Sequence, residues 1–429
     1  GSPVVAGGRV FVGTGNEHPR DSLVLGRVGV LMAFRASDGQ FLWQDVGESA
    51  RGGIDGFLLP LTSSTPYVEG EKLYYVTAEC QLRCLDVDGF HDGTNDGVVQ
   101  DEVNKAIGDA DIIWELDIVS SLGVFPHEAP NCSVLSIGDL LLVCTSNGVD
   151  EAHTNIPAPR APSFIAVHKD TGKVEWQVTG PSEKVLHGQW SSPSAAIVNG
   201  RTLVFFGGGD GILYALDAKT GREVWRFDGN PKDAIWRSSG DIQGKTFRNN
   251  IIACPVVHRG RVYLTMGQDP NHGSGKGAIY AIDPGGRGDV TTSRRIWSYT
   301  DMSRAMATPV IQDDLLYVAD NDGVVHALDL KTGERVWAHD LYAGVWASIL
   351  LADGKLFVGD EDGVVTVFRP GRKLEILAKS EVEAPIYSAP AVVDGRLYLA
   401  SANRLFAISH PAAKEPAVEP ASNKQPAKK

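Results

Sequence analysis

The stretch Gly207-Gly208-Gly209-Asp210-Gly211-Ile212-Leu213-Tyr214-Ala215-Leu216-Asp217-Ala218-Lys219-Thr220-Gly221-Arg222-Glu223-Val224-Trp225 decides the fold. Alternating apolar residues follow a Gly-Asp-Gly turn, a Lys-Thr-Gly turn follows them, and a short strand then closes on Trp225. Alternation with period two turns one face of each strand inward, and glycine supplies the backbone freedom that a tight reversal requires. The stretch therefore reads as two β-strands and two tight turns. Nearly the same wording returns at residues 320–337, Asp-Asn-Asp-Gly-Val-Val-His-Ala-Leu-Asp-Leu-Lys-Thr-Gly-Glu-Arg-Val-Trp, so the unit is a repeat.

Each copy opens on Ser, Thr or Ala, or on Cys254 in the fifth, before an apolar strand, usually with Pro between them. A Gly-containing turn leads to a second strand rich in Tyr, Phe and Val, then a third near Ala-Leu-Asp, a Thr-Gly turn and a last strand. Four short strands in roughly fifty residues are the signature of a propeller blade. Copies start near residues 2, 65, 129, 192, 254, 308, 348 and 389. The first six end on Trp43, Trp114, Trp176, Trp225, Trp297 and Trp337. The seventh has no Trp, and Leu374 or Ile376 is expected in that slot.

The expectation is an all-β, eight-bladed β-propeller of four-stranded antiparallel blades over residues 1–409. Its eighth copy stops at Ile408-Ser409 after three strands, which suggests a three-stranded blade or a piece of a longer protein. The Pro-, Ala-, Lys- and Glu-rich residues 410–429 have too few apolar side chains to bury a core and are expected to be disordered. One twisted sheet cannot cover both of its faces, so blades must stack. A flat aromatic from each outer strand is suited to cover the Gly-rich turn next door. Six Trp residues at one repeat phase thus read as blade-docking groups rather than as carbohydrate contacts.

Bulk composition excludes several classes. A 429-residue chain that is 43% hydrophobic can bury a large core, and no run of eighteen apolar residues offers a membrane span. Membrane association would need an anchor upstream of residue 1. A net charge of −13 without a basic stripe argues against nucleic acid, whose affinity comes largely from neutralising phosphates. Five cysteines leave at least one unpaired. Cys132 and Cys144 flank a turn and could form a cross-strand disulfide or remain two buried thiols.

Blade topology points to a working face. Strands run outward from the central channel in alternating directions, so the loop entering each inner strand shares a face with the loop between strands two and three. Just before the inner strands stand His127, Glu128, His187, Gln189, Trp190, Arg248, Asn249, Asn250, Arg304, Met306, Trp346 and Tyr387. This mixture of polar and aromatic groups suits a polar planar or anionic ligand, the alternative being a hydrated plug in the channel. Long connections at 15–29, 145–163 and 267–277 lie on the same expected face. On the opposite face, Asp88, Asp92, Asp96 and Glu102 could surround a hard cation such as Ca2+, or form a solvated acidic loop. From Asp92 the EF-hand spacing holds at Asp96 and Gly97, but its twelfth place is Val103, with Glu102 one residue early. No Gly-x-Ser-x-Gly, His-Glu-x-x-His or phosphate-loop motif appears, and no residue is assigned a catalytic role.

The run Ala-Leu-Asp-Ala-Lys-Thr-Gly-Arg-Glu-Val-Trp resembles the repeat of the pyrroloquinoline quinone (PQQ)-like β-propellers, a superfamily holding both quinoprotein alcohol dehydrogenases and the BamB assembly lipoproteins. The resemblance covers residues 2–409. For the enzymes it implies PQQ beside Ca2+ in a central pocket, often with a disulfide between adjacent cysteines. Here Glu128 would face the calcium, and Arg248 or Arg304 the quinone. The chain has no Cys-Cys pair and no Cys-x-x-Cys-His haem motif. The leading expectation is therefore a non-catalytic extracytoplasmic scaffold that binds a protein or small polar ligand on its loop-rich face. The compartment follows from the resemblance. A PQQ- and Ca-dependent dehydrogenase of alcohols or sugars is the rival.

Overall fold

The computed structural model describes residues 1–17, 19–22, 24, 26, 28–47, 61–236, 246–267 and 276–409. The expected disordered tail at 410–429 lies outside the described residues, as do residues 18, 23, 25 and 27 of the connection at 15–29 and residues 268–275 of that at 267–277.

Blade 4, which contains the quoted stretch, shows how sequence becomes sheet. Its strands Ser194–Val198, Arg201–Gly207, Ile212–Asp217 and Glu223–Asp228 pair antiparallel in chain order. Gly211 takes φ +79°, and Gly323 and Gly363 repeat that left-handed turn at +93° and +80° in blades 6 and 7. An added Cβ on Gly211 would come within 2.1 Å of the Asn249 carbonyl, so the turn admits only glycine. Between the third and fourth strands, the register slips by one residue after Ala215, which pairs with Trp225. The same bulge follows Ala33, Cys84, Ala166, Ala281 and Ala327, each opposite the blade's Trp.

Eight such sheets form the propeller, and the last has three strands, Ala391–Val393, Arg396–Ala400 and Leu405–Ser409. Blade 4 gains a short fifth strand, Gly288–Asp289, lent by blade 5 and parallel to its outer edge. The apolar core lies between blades. Phe205, Ala215 and Trp225 of blade 4 pack with Val262, Leu264 and Ile282 of blade 5, and the pattern repeats around the ring. Hydroxyls stitch the inner strands together. The backbone N–H of Thr65 donates to Ser133 Oγ, that of Ser133 to Ser192 Oγ, and that of Thr308 to Ser348 Oγ. In blade 3 the hydroxyl in this place is Ser133, four residues beyond Ala129.

The six Trp indoles share one geometry. Each N–H donates to a backbone carbonyl at the outer turn of the next blade: Val87, Lys169, Ala218, Pro284, Leu330 and Gly371, at 2.8–3.1 Å. The rings of Trp114, Trp176 and Trp297 lie over Gly172, Gly221 and Gly333, where a Cβ would approach ring atoms to 2.6–2.7 Å. Blade 7 differs from expectation. In the Trp register, opposite Val367, stands Ala378 rather than Leu374 or Ile376. Leu374 instead packs toward the blade 6 core, and Ile376 is 39% exposed. Blade 8 closes on blade 1 by other means, with Arg396 and the Tyr398 hydroxyl both donating to the Ala36 carbonyl.

Candidate functional site

Blade 3 and blade 4 build the most concentrated polar group on the loop-rich face. The connection between Leu140–Cys144 and Phe164–His168 carries His153 back over the channel mouth. There it meets His127, which precedes Leu135–Ile137, and His187, which precedes Ser194–Val198. The His153 ring centroid lies 4.9 Å from that of His127 and 4.6 Å from that of His187. His127 Nε2 is 2.7 Å from His187 Nε2, and Glu128 Oε1 is 3.7 Å from the same His187 atom. His127 and His187 are fully buried, whereas the Glu128 side chain is 37% exposed. Glu128 and His153 both adopt left-handed backbone, φ +58° and +54°, at a cost of about 1 kcal/mol each.

A second layer holds these rings. Trp190 Nε1 donates to the His127 carbonyl at 3.2 Å, and its ring meets that of His187 edge to face at 4.8 Å. Gly188 leaves room for that indole, since a Cβ there would lie 2.3 Å from it. The Gln189 amide donates to Ser163 Oγ and to the Asn147 carbonyl, and Asn147 Nδ2 donates to Ser182 Oγ. Cys132 and Cys144 lie beneath as free thiols, with the Cys144 N–H donating to Cys132 Sγ at 3.1 Å. Burial pushes the Cys144 thiol up to about 12 and Cys132 well above the ordinary range, so neither is a ready nucleophile.

Next around the ring, Arg248 is buried and donates to both Asp228 carboxylate oxygens at 2.8 Å. Its guanidinium stacks 3.8 Å from the Trp236 ring centroid. Asn249 and Asn230 exchange side-chain and backbone hydrogen bonds beside it. Asn250 is buried, and Arg304 is buried against Gly267. Trp346 donates to Glu361 and packs edge to face against Tyr387, their centroids 6.1 Å apart. The structure thus brings His127, Glu128, His187, Gln189 and Trp190 into one group. Arg248 with Asn249, and Trp346 with Tyr387, form two further groups rather than a single ring-shaped pocket. His153, Asn147, Asp228 and Trp236 join them without having been singled out in the sequence, although the connection at 145–163 carries both His153 and Asn147.

Asp210 sits beneath Arg248, 2% exposed, and accepts from the Tyr214 hydroxyl at 2.6 Å. Burial raises its carboxyl to about 6 from 3.8, with hydrogen bonds only partly opposing the shift. A carboxyl with a raised folded-state value binds more protons folded than unfolded, so stability falls as pH climbs from about 4 to about 6. The shift corresponds to about 3 kcal/mol. Asp210→Asn is expected to remove this dependence. Relative to wild type, the variant should gain stability as pH rises from 4 to 7 in urea denaturation followed by circular dichroism.

On the opposite face, the carboxylates at 88–102 are engaged with protein groups. Asp88 pairs with Arg9, Asp92 and Asp96 accept from the Thr94 hydroxyl, and Glu102 accepts from Asn95 Nδ2. Asp86 and Asp111 nearby are raised to about 6, by burial first and then by these neighbouring negative charges. Among the described residues, three His, Cys, Asp or Glu donors come within metal-binding range only at His127, His153 and His187.

Fold and site together define a PQQ-like β-propeller whose loop-rich face is organised by buried side-chain networks. A family profile described as "Outer membrane protein assembly factor BamB" matches residues 143–339 and 322–412, more than half of the chain, and the chain belongs to that family. Among solved structures, BamB from Moraxella catarrhalis is 20% identical, with 87% of this chain and 88% of that one covered at a TM-score of 0.56, a likeness of fold. A computationally designed protein, Ika8, is 11% identical over 79% of this chain and 93% of its own, with a TM-score of 0.43. No curated protein matches the chain.

The calcium and quinone roles implied by the enzymatic branch do not suit Glu128 and Arg248 as they stand. Calcium takes six to eight oxygen ligands, whereas the Glu128 carboxylate stands 3.7 Å from His187, one imidazole of a three-histidine group. Arg248 is committed to Asp228 and Trp236.

Proposed function

We propose that this chain is a non-catalytic, extracytoplasmic binding or assembly scaffold that captures a protein partner on its loop-rich face. Family membership supports the assembly role and the compartment. The observation that carries the docking face is its partly exposed aromatics: Trp236 at 44%, Tyr342 at 86% and Tyr387 at 53%, the last beside Trp346. All four lie in connections leading to inner strands, two of them beside charged side chains, Trp236 against Arg248 and Trp346 against Glu361. Large aromatics in a polar surround are the usual anchors of protein interfaces, because they bury much area with little loss of side-chain freedom. A cavity of about 410 Å3 lined by Lys184, Arg226, Asp228, Trp236 and Asp289 supports a small polar ligand as a narrower version of the same reading.

Site-specific photo-crosslinkers at Tyr342 and Tyr387 test the proposal in extracts containing the membrane fraction. The expected result is one partner enriched at both positions, and at least about tenfold less of it with Trp346→Ala in a folded protein, the loss typical of a hot-spot aromatic. Equal capture from a crosslinker at His91, on the opposite face, would reject it. So would turnover of alcohols or sugars after addition of PQQ with Ca2+.

A further inference from the structure

We infer that His127, His153 and His187 form a binding site for a divalent transition-metal ion of the zinc class, with Glu128 at its open side. Their ligand nitrogens all lie within 4.8 Å of one another. A tetrahedral ion with Zn–N bonds of about 2.0–2.1 Å separates its nitrogens by roughly 3.3 Å, so side-chain rotations must open the His127–His187 pair from 2.7 Å and bring all three nitrogens to that spacing. The inference rests on these residues alone and is independent of the scaffold reading.

Tautomer chemistry points the same way. His127 Nδ1 lies 2.8 Å from the Val149 carbonyl, which can only accept, so the proton resides on Nδ1. Neutral His127 then presents the Nε2 lone pair to His187 Nε2, 2.7 Å away, whose proton fills that contact and must leave or move to Nδ1 when an ion binds. A histidine that donates one N–H to a backbone carbonyl and turns its other nitrogen inward is the usual arrangement of a metal ligand, because the outer hydrogen bond fixes ring and tautomer. Trp190 restrains the other side of the pair through its bond to the His127 carbonyl and its contact with His187.

The donor set selects the ion. Imidazole nitrogens suit Zn2+, Cu2+ and Ni2+, whereas Ca2+ and Mg2+ prefer a cage of oxygens. Three histidines leave a fourth position of a tetrahedral ion, and the Glu128 carboxylate stands 3.7 Å from His187 Nε2. The three histidines enter from the approach to blade 3, from its 145–163 connection and from the approach to blade 4. An ion there would clasp three separate loops.

The test uses the full chain, freed of any histidine tag and stripped with a chelator. Titration with Zn2+ by calorimetry should show one equivalent bound at micromolar affinity or tighter. Cu2+ should give an electron paramagnetic resonance spectrum with nitrogen hyperfine splitting. His153→Ala should weaken Zn2+ binding by about 10–100-fold while keeping the β-sheet circular dichroism, and His91→Ala on the opposite face should bind as wild type. No Zn2+ uptake by the wild type, or Cu2+ without nitrogen splitting, would leave a proton-sharing histidine pair and overturn the inference. Unchanged binding in a folded His153→Ala variant would overturn it as well. Should that variant fail to fold, the wild-type Cu2+ spectrum still decides.

Discussion

Trp225→Ala is expected to destabilise the propeller by about 3–5 kcal/mol, the range for truncating a fully buried Trp or Phe. Trp225 has no exposed surface, and its ring sits 5.6 Å from that of Phe205 in the core shared by blades 4 and 5. Truncation opens a cavity between two sheets that cannot readily approach, because the strand pairing of each blade and the neighbouring blades hold them apart. It also strands the Pro284 carbonyl, which accepts the indole N–H at 2.8 Å. Trp225→Phe should fall between wild type and Ala, keeping most of the apolar contact but losing the hydrogen bond. Urea denaturation followed by circular dichroism measures the ranking. Trp236→Ala, at a 44% exposed ring stacked on Arg248, should cost less, about 1–2 kcal/mol. If the buried and exposed Trp variants cost the same, blade docking by these indoles is not a main source of stability.

The second large effect is expected where blades 1 and 2 meet. Arg83, 5% exposed, donates to Asp45 Oδ1 at 2.7 Å, to Glu115 at 2.7 Å and to Gln81 at 2.9 Å. Asp45 also accepts from the Tyr75 hydroxyl at 2.5 Å. Taking these charges out of water is costly, and the pair is stable only because nearly every donor finds an acceptor. Asp45→Ala removes one charge and leaves a buried guanidinium with Glu115 alone, so a loss of about 3–5 kcal/mol is expected. The double variant Asp45→Leu with Arg83→Met should be closer to wild type than Asp45→Ala, since the one carboxylate it leaves without Arg83, Glu115, is 26% exposed and keeps its bond from Gln81. Denaturation midpoints of the three proteins, taken at low and high salt, check both claims. Because the pair is shielded from solvent, salt should change the ranking little. A double variant worse than the single one would show that the network contributes through its geometry rather than through charge compensation.

Much of this molecule is legible in one dimension because its determinants are local and repeated. A Thr-Gly reversal, an Ala on the third strand and a Trp on the fourth are neighbours in sequence and in the sheet, so their spacing carries the blade. The Trp contact is one blade away, yet it obeys the same phase every time, and periodicity exposes it. Where the period lapses, inference from spacing lapses too. Ala378 takes the Trp register in blade 7 because the bulge falls after Val367, and neither Leu374 nor Ile376 could be excluded without the strand pairing. The candidate site is legible in part. Topology alone places His127, Glu128, His187, Gln189 and Trp190 at one mouth, but the third histidine arrives on a connection whose path no repeat dictates. Nor does spacing distinguish the histidine group from the Arg248 and Trp346 groups, which share its loop phase but have different partners.

What the amino-acid order determined by itself is the β-propeller with its eight copies and the six indoles that join them. These follow from alternation, glycine turns and periodic aromatics, all of which act over a few residues. Tertiary structure alone decided that Arg248 is held by Asp228 and Trp236, that Arg83 is buried against Asp45, and that His153 meets His127 and His187. Those pairings join residues 12 to 60 positions apart through folded loops and sheet edges, so only the closed ring fixes their distances.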